Sequence, residues 1–160
     1  MQNNNAPSAT LKNLESALAG ESMANIKYQY FAQICRAHGD ETTARVFEAT
    51  AKQEVQHAFG HMDLLFPKTK LDPAKCLELA IEGETYEYTE MYPAFRHTAI
   101  EEQHSHAANE FSEQIDESKE HAEQFKLVLE KASKRFAALT KVEERHANHY
   151  REALKTVKTS

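Results

Sequence analysis

The segment GETYEYTEMYP, residues 83–93, sets the interpretation of this chain, because it is rich in carboxylates and contains no basic side chain. Its glutamates are Glu84, Glu87 and Glu90, and no Lys or Arg occurs between Lys75 and Arg96. The surrounding pattern is helical. A helix that collects carboxylates without positive partners requires another source of charge compensation.

The composition predicts long helices in one domain. A chain of 160 residues can bury a sizeable core, so we expect a single domain over residues 1–160, with residues 1–7 as a disordered tail. Only four Gly and four Pro interrupt the chain, none of them after Pro93, and β-branched residues do not alternate. An all-α fold is therefore expected.

Charge and targeting signals exclude several classes of function. The formal net charge is −6 and no basic cluster is present, which argues against a nucleic-acid or anionic-membrane partner. No secretory signal or membrane-length apolar run is found. Cys35 and Cys76 form no CxxC pair, so we expect a reducing, cytoplasmic location.

Turn residues divide the chain into four predicted helices. The first runs from about Ser8 to His38, where Gly39 and Asp40 supply a C-terminal and an N-terminal cap. The second continues to about Leu65. The connector FPKTKLDPA, residues 66–74, separates it from a third helix that begins near Lys75.

The end of the third helix has two interpretations. No Gly or Pro lies at residues 101–105, so we expect the helix to continue to Ile115 and to turn at 116–118. A fourth helix over about 118–157 then explains an apolar stripe from Phe125 to Leu154, and the third and fourth helices form an elongated hairpin. The alternative is an early turn at 101–105.

Two copies of Glu-x-x-His carry the chemistry: Glu54 with His57, and Glu143 with His146. At this spacing both side chains project from one helix face and can bind one metal ion. A third copy, Glu101 with His104, is interpreted as a chance occurrence. His61 is expected to lie beside the site or to face solvent.

Further carboxylates lie on the apolar faces of the same helices, namely Glu21, Glu84 and Glu87, where Lys27 is the one candidate base. Buried without compensation they would cost many kcal/mol, so a bound cation is the better interpretation. Carboxylate and imidazole ligands suit iron or manganese. The predicted metal ligands are Glu21, Glu54, His57, Glu84, Glu87, Glu143 and His146, enough for two ions.

Some alternatives stay open. Any single glutamate could simply be solvated on an exposed helix face. Glu117 and His121 would form an alternative ligand pair if the chain turned early, at 101–105. Tyr28 and Tyr92 fall near the ligand stripes, although aromatic residues at such positions commonly belong to the core.

These residues resemble the di-iron domain of the rubrerythrins, within the ferritin-like superfamily. Ferritin-like carboxylate sites take one Glu from each of two helices and Glu-x-x-His from each of the other two. The resemblance covers about residues 10–100 and 136–154, and its motifs are AGESMANIKY (19–28), QEVQH (53–57), GETYEYTEMYP (83–93) and VEERH (142–146). It implies a ferritin-like four-helix bundle.

The resemblance also implies a role for each ligand. Glu54 and Glu143 would bridge two irons, with Glu21 and Glu84 as terminal ligands and His146 as a permanent one. The second iron would move between His57 and Glu87 as its oxidation state changes. Tyr28, Tyr92 and Glu87 would take part in catalysis, which in this family reduces hydrogen peroxide to water.

Two departures from the family pattern are visible. The chain has no pair of CxxC motifs for a rubredoxin domain, so we expect a short, single-domain form that takes electrons from an external, rubredoxin-like donor. The expected turn at 116–118 also implies an insertion of about 25 residues before VEERH. An ungapped alignment would instead place Ser118 where the family has Glu, with His121 following.

The connector length predicts the assembly. In a ferritin-like bundle the second and third helices are parallel, so the connector must run back along the bundle by roughly 30 Å. Nine residues reach about 30–32 Å only when fully extended. We therefore expect a domain-swapped homodimer.

The resulting functional prediction is a non-haem di-iron peroxidase. The alternative is a ferroxidase or iron-storage protein of the ferritin type, against which the additional Glu87 argues. A purely structural helical protein, without bound metal, is the third hypothesis.

Overall fold

The structure is a computed structural model that describes residues 8–158, apart from the side chains at 136–138, 150 and 152–158. In this part of the chain it contains helices and no strand, which confirms the all-α prediction. The expected tail at residues 1–7 lies outside the described residues. The chain divides into two compact units, Met1–Leu71 and Asp72–Ser160.

The first unit is an antiparallel helix pair. Helix α1 spans Ala9–Ala37 and helix α2 spans Glu41–Leu65. Both N-terminal caps use a side-chain oxygen: Ser8 accepts from the amide of Leu11, and Asp40 accepts from the amide of Thr43. Gly39 turns the chain between the helices with a φ of 81°, as the sequence predicted.

Small residues let α1 and α2 approach closely. Ala32, Ala44 and Ala51 are buried between them. The side chain of Asn25 donates a 2.7 Å hydrogen bond to the carbonyl oxygen of Ala51, which satisfies a polar group in a partly buried position and fixes the two helices at one height. No large side chain is fully buried among the described residues, so the apolar core of this pair is thin.

The second unit contains three helices and a wide turn. Helix α3 spans Pro73–Tyr86, a π-helical turn spans Glu87–Met91, helix α4 spans Tyr92–Glu101 and helix α5 spans Ser105–Lys158. The π turn is closed by the amide of Tyr92, which donates to the carbonyl of Glu87. Pro93 follows directly and has no amide hydrogen for the regular helical bond, which favours irregular geometry here.

The predicted end of the third helix is wrong: the helix ends at Glu101, and the turn lies at 102–104. The amide of His104 donates to the carbonyl of Ala99, and that of Gln103 donates to Ile100, while Gln103 adopts a φ of 61°. This is a Schellman closure, in which glycine is the usual left-handed residue. The turn has Gln103 instead, so a search for Gly or Pro could not find it.

The early turn makes α5 the long element. Helix α5 has 54 residues and a length of about 81 Å. The segment from α3 to α4 covers 73–101, about 44 Å. The sequence predicted that both arms of the hairpin are elongated. Only α5 is elongated, while the arm formed by α3, the π turn and α4 is not. Ser118 and Ala122, in the first half of α5, are buried against this segment.

No helix in the described part of the chain is both long enough and apolar enough to cross a membrane.

Candidate metal centre

Three side chains of the first unit form a compact cluster, called here the α1–α2 cluster: Glu21, Glu54 and His57. Their ligand atoms all lie within 4.8 Å of one another. His57 Nδ1 is 2.9 Å from Glu54 Oε2 and 3.9 Å from Glu21 Oε1. The structure therefore brings together the three ligands that the sequence predicted for these helices.

The two carboxylates of the α1–α2 cluster have little access to solvent. The side chain of Glu54 is 14% exposed and that of Glu21 is 30% exposed. Within the described residues, the ion pairs of both glutamates are with His57, and neither pairs with Lys or Arg. Two partly buried carboxylates that converge on one imidazole match the ligand preference of iron or manganese.

The second unit contributes a second group, called here the α3–α5 cluster: Glu84, Glu87, Ser118 and His121. His121 Nδ1 lies 3.5 Å from Glu84 Oε1. The hydroxyl of Ser118 donates a 3.0 Å hydrogen bond to Glu87 Oε2. Glu84 is 21% exposed and Ser118 is 3% exposed, so these two lie on the packed side of their helices, while the side chain of His121 is 52% exposed.

Tyr92 lies beside the α3–α5 cluster. Its ring stacks on Phe111 with a centroid distance of 6.1 Å. Burial raises the pKa of the Tyr92 phenol, and the negative charges of Glu87 and Glu84 raise it further. The phenol therefore keeps its proton at neutral pH. Tyr28, in the first unit, packs on Phe47 at 5.8 Å, so both tyrosines take part in aromatic packing.

The structure does not bring Glu143 and His146 to the α3–α5 cluster. Position 143 lies 143 − 121 = 22 residues beyond His121 on the same helix, or about 33 Å. Both side chains are exposed. The expectation that they complete the site depended on the late turn at 116–118, which the structure replaces with the turn at 102–104.

Ser118 and His121 are the site residues that the chosen interpretation missed. His121 appeared in the rejected early-turn alternative, where Glu117 was its expected partner. In the structure Glu117 is exposed and accepts a hydrogen bond from Gln114, while His121 contacts Glu84. The contacts of Ser118 and His121 agree with the ungapped alignment to the family motif, which puts a serine where the family has Glu.

The third Glu-x-x-His copy does not form a pair. Glu101 ends α4 and lies 3.3 Å from His97, one turn earlier, while His104 lies in the turn and is 4.0 Å from Glu102. The interpretation of this copy as a chance occurrence agrees with these contacts.

A family model described as Rubrerythrin matches residues 12–129. The chain belongs to the rubrerythrin family. The match includes the residues of both clusters and ends before Glu143 and His146. Membership in the rubrerythrin family confirms the predicted ferritin-like class and supports an iron-related function.

Curated relatives show the same rubrerythrin likeness. The chain is 36% identical over 132 residues to nigerythrin of Nitratidesulfovibrio vulgaris. The aligned region covers 75% of this chain and 65% of the relative. The chain is 35% identical over 133 residues to rubrerythrin of Porphyromonas gingivalis, covering 76% and 66%. The chain thus spans about two thirds of the length of these relatives. Among solved structures, fully reduced, all-ferrous nigerythrin gives a TM-score of 0.40 at 32% identity over 81% of this chain and 70% of that one.

The donors of this rubrerythrin can be compared with the ferritin-like pattern of four Glu and two His. Helix α1 supplies Glu21, α2 supplies Glu54 and His57, and α3 supplies Glu84, as the pattern requires. Helix α5 has Ser118-x-x-His121 where the pattern has Glu-x-x-His. Glu87 is a carboxylate in addition to the single Glu that the pattern places on the helix of Glu84. The total is still four carboxylates and two imidazoles, so the donor set fits two iron ions in number and kind.

Proposed function

We propose that this protein is a non-haem di-iron peroxidase, which reduces hydrogen peroxide to water with electrons from an external, rubredoxin-like protein. The proposed metal ligands are Glu21, Glu54, His57, Glu84, Glu87 and His121. His121 replaces the predicted His146, and the predicted Glu143 has no counterpart on this part of α5, where position 118 is serine. Manganese is the alternative metal. The observation that carries the proposal is the α1–α2 cluster, whose three candidate ligand atoms converge within 4.8 Å without a Lys or Arg partner among the described residues.

The reaction requires both electrons and protons. Hydrogen peroxide takes up two electrons and two protons, its O–O bond breaks, and two water molecules form. Two bound iron ions would supply the two electrons and would be reduced again by the external donor. The chain's own contribution to proton handling is the phenol of Tyr92, which is held protonated next to Glu87 and Glu84. Tyr28 is proposed as the second phenol near the site.

The two clusters belong to different units, and the proposed set of ligands draws on both. In a bundle with α2 and α3 parallel, the path from Leu65 back to Pro73 must cover about 33 Å if Glu54 and Glu84 are to lie at one height. The seven connecting residues, 66–72, include a 3₁₀ turn at Lys68–Lys70. Even fully extended, this link reaches only about 29 Å. These lengths support a domain-swapped homodimer, in which α1–α2 of one chain meets α3–α5 of another.

The proposal predicts selective reoxidation by peroxide. The iron-loaded protein is reduced anaerobically and mixed in a stopped-flow instrument with hydrogen peroxide or with oxygen, while the iron absorption is followed. We expect peroxide to reoxidise the protein faster than oxygen does. The Glu54→Ala variant is the control and should lose both metal content and the reaction, since Glu54 is the less exposed carboxylate of the α1–α2 cluster.

Two outcomes would contradict the proposal. Reoxidation by peroxide that is no faster than reoxidation by oxygen argues against a peroxidase. Oxidised iron that leaves the site and accumulates in a large multi-subunit shell, as detected by light scattering, would instead indicate iron storage. Absence of both iron and manganese after reconstitution would favour a structural role.

A further inference from the structure

Ser118 is a buried polar residue in the first half of α5, with 3% of its surface exposed. It faces α3 and the π turn, where its hydroxyl donates to Glu87 Oε2 over 3.0 Å. A buried hydroxyl is retained at low cost only when it is hydrogen-bonded, and this one uses a metal-site carboxylate as its acceptor. The contact therefore links the two positions at which this chain departs from the four-Glu, two-His pattern.

The two departures are chemically complementary. A carboxylate is absent from α5 at position 118, and an additional carboxylate is present at position 87. A glutamate at 118 would extend two carbon atoms further than serine, into the space that the Glu87 carboxylate now occupies. Serine leaves that space open and holds the carboxylate of the facing helix there. This chain therefore still offers four candidate carboxylates, but one of them lies at Glu87 and none lies on α5 at position 118.

We infer that Glu87 supplies the carboxylate that α5 lacks, so that it is a permanent metal ligand in this chain, and that Ser118 is its positioning residue. This differs from the switching role that the family resemblance implied for Glu87. It rests on the proposed metal site. The π turn supports it, because the turn begins at Glu87 and widens the helix at the residue that must reach across to α5.

The first test moves the carboxylate from one helix to the other. Iron content per chain is measured after reconstitution and dialysis for the parent protein, Glu87→Gln, and the double variant Glu87→Ala/Ser118→Glu. We expect about two irons in the parent, about one or fewer in Glu87→Gln, and recovery toward two in the double variant. Glu90→Ala, which removes an exposed glutamate of the same π turn, is the matched control and should keep the parent content.

The outcomes separate this inference from the proposed function. If the parent binds two irons and Glu87→Gln also binds two, the permanent-ligand inference is wrong while the di-iron site stands. If the parent binds no iron, both fail. Folding of each variant is checked by circular dichroism. If the double variant does not fold, the iron content of Glu87→Gln alone tests whether Glu87 is a permanent ligand, because this substitution preserves the size of the side chain.

The second test addresses the positioning role of Ser118. The rate at which a ferrous chelator removes iron is compared for the parent, Ser118→Ala and Ser118→Thr. Because partners that orient a ligand typically contribute 10- to 100-fold to metal affinity, we expect removal to be about tenfold faster in Ser118→Ala. Ser118→Thr keeps the hydroxyl and should restore the slow rate. The positioning role would be overturned if iron were removed from Ser118→Ala no faster than from the parent. It would also be overturned if removal from Ser118→Thr were as fast as from Ser118→Ala.

Discussion

At the scale of single residues, the histidines of the α1–α2 and α3–α5 clusters carry the most information about the candidate site. His57 lies 2.9 Å from Glu54, and His121 lies 3.5 Å from Glu84. His57 could be predicted from the sequence, because its motif and the apolar stripe around it belong to one helix. The contact of His121 with Glu84 could not be predicted in the same way, because it depends on where the preceding helix α4 ends.

The first prediction at this scale compares His121→Ala with His146→Ala. His121→Ala should lower the iron content measured by elemental analysis, because it removes an imidazole from the α3–α5 cluster. His146→Ala should leave the iron content unchanged, since position 146 lies about 37 Å further along α5. Loss of iron in His146→Ala together with retention in His121→Ala would restore the original assignment of VEERH.

At the scale of elements, two helix ends share one closure but differ in sequence. After α1, the amide of Asp40 donates to Cys35 and that of Gly39 to Arg36; after α4, His104 donates to Ala99 and Gln103 to Ile100. Gly39 has a φ of 81° and Gln103 a φ of 61°. A side chain in this left-handed region costs free energy that glycine avoids. The first closure was predictable from its glycine, and the second was not.

The closure after α4 therefore predicts a stabilising substitution. Gln103→Gly should raise the free energy of unfolding by about 1 kcal/mol, because it removes the Cβ from a left-handed residue. Urea denaturation followed by circular dichroism measures the change. Gln103→Ala keeps the Cβ and should show no such gain, and Gly39→Ala should destabilise the protein. A Gln103→Gly variant no more stable than Gln103→Ala would contradict the assigned closure.

At the scale of the whole molecule, neither unit buries a large apolar core among the side chains that the structure describes. The buried apolar residues of the first unit are alanines, while Ile26 and Phe59 are 65% and 63% exposed. A pair of helices has too few neighbours to cover such side chains, and exposed apolar surface of this kind indicates a further packing partner. A second helical pair would cover this surface and complete the set of metal ligands at the same time.

The domain-swapped dimer can be tested by mixing two defective chains. Glu54→Ala damages the α1–α2 cluster and Glu84→Ala damages the α3–α5 cluster, so each variant alone should bind little iron. After unfolding and refolding together, a swapped dimer of unlike chains contains one intact site and one doubly damaged site. We expect about a quarter of the parent iron content, because about half of all dimers pair unlike chains and half of the sites in those dimers are intact.

The result of mixing distinguishes the two ways of building a site. If each chain completed its own sites, every site in the mixture would carry one defect and no iron would be regained. The mass of the iron-loaded parent provides the control: light scattering should give twice the chain mass of 18.2 kDa. A monomeric mass with both irons bound would reject the swapped dimer.

The sequence by itself determined the helical class, the caps at Gly39 and Asp40, and the grouping of Glu21, Glu54 and His57 as candidate ligands, because each depends on residues close together on one helix or at one turn. Only the tertiary structure decided which part of α5 faces Glu84 and Glu87. That register is fixed by the end of α4, where Gln103 adopts a conformation usually left to glycine. The resulting turn brings Ser118 to Glu87 and His121 to Glu84, and leaves Glu143 and His146 far along the helix.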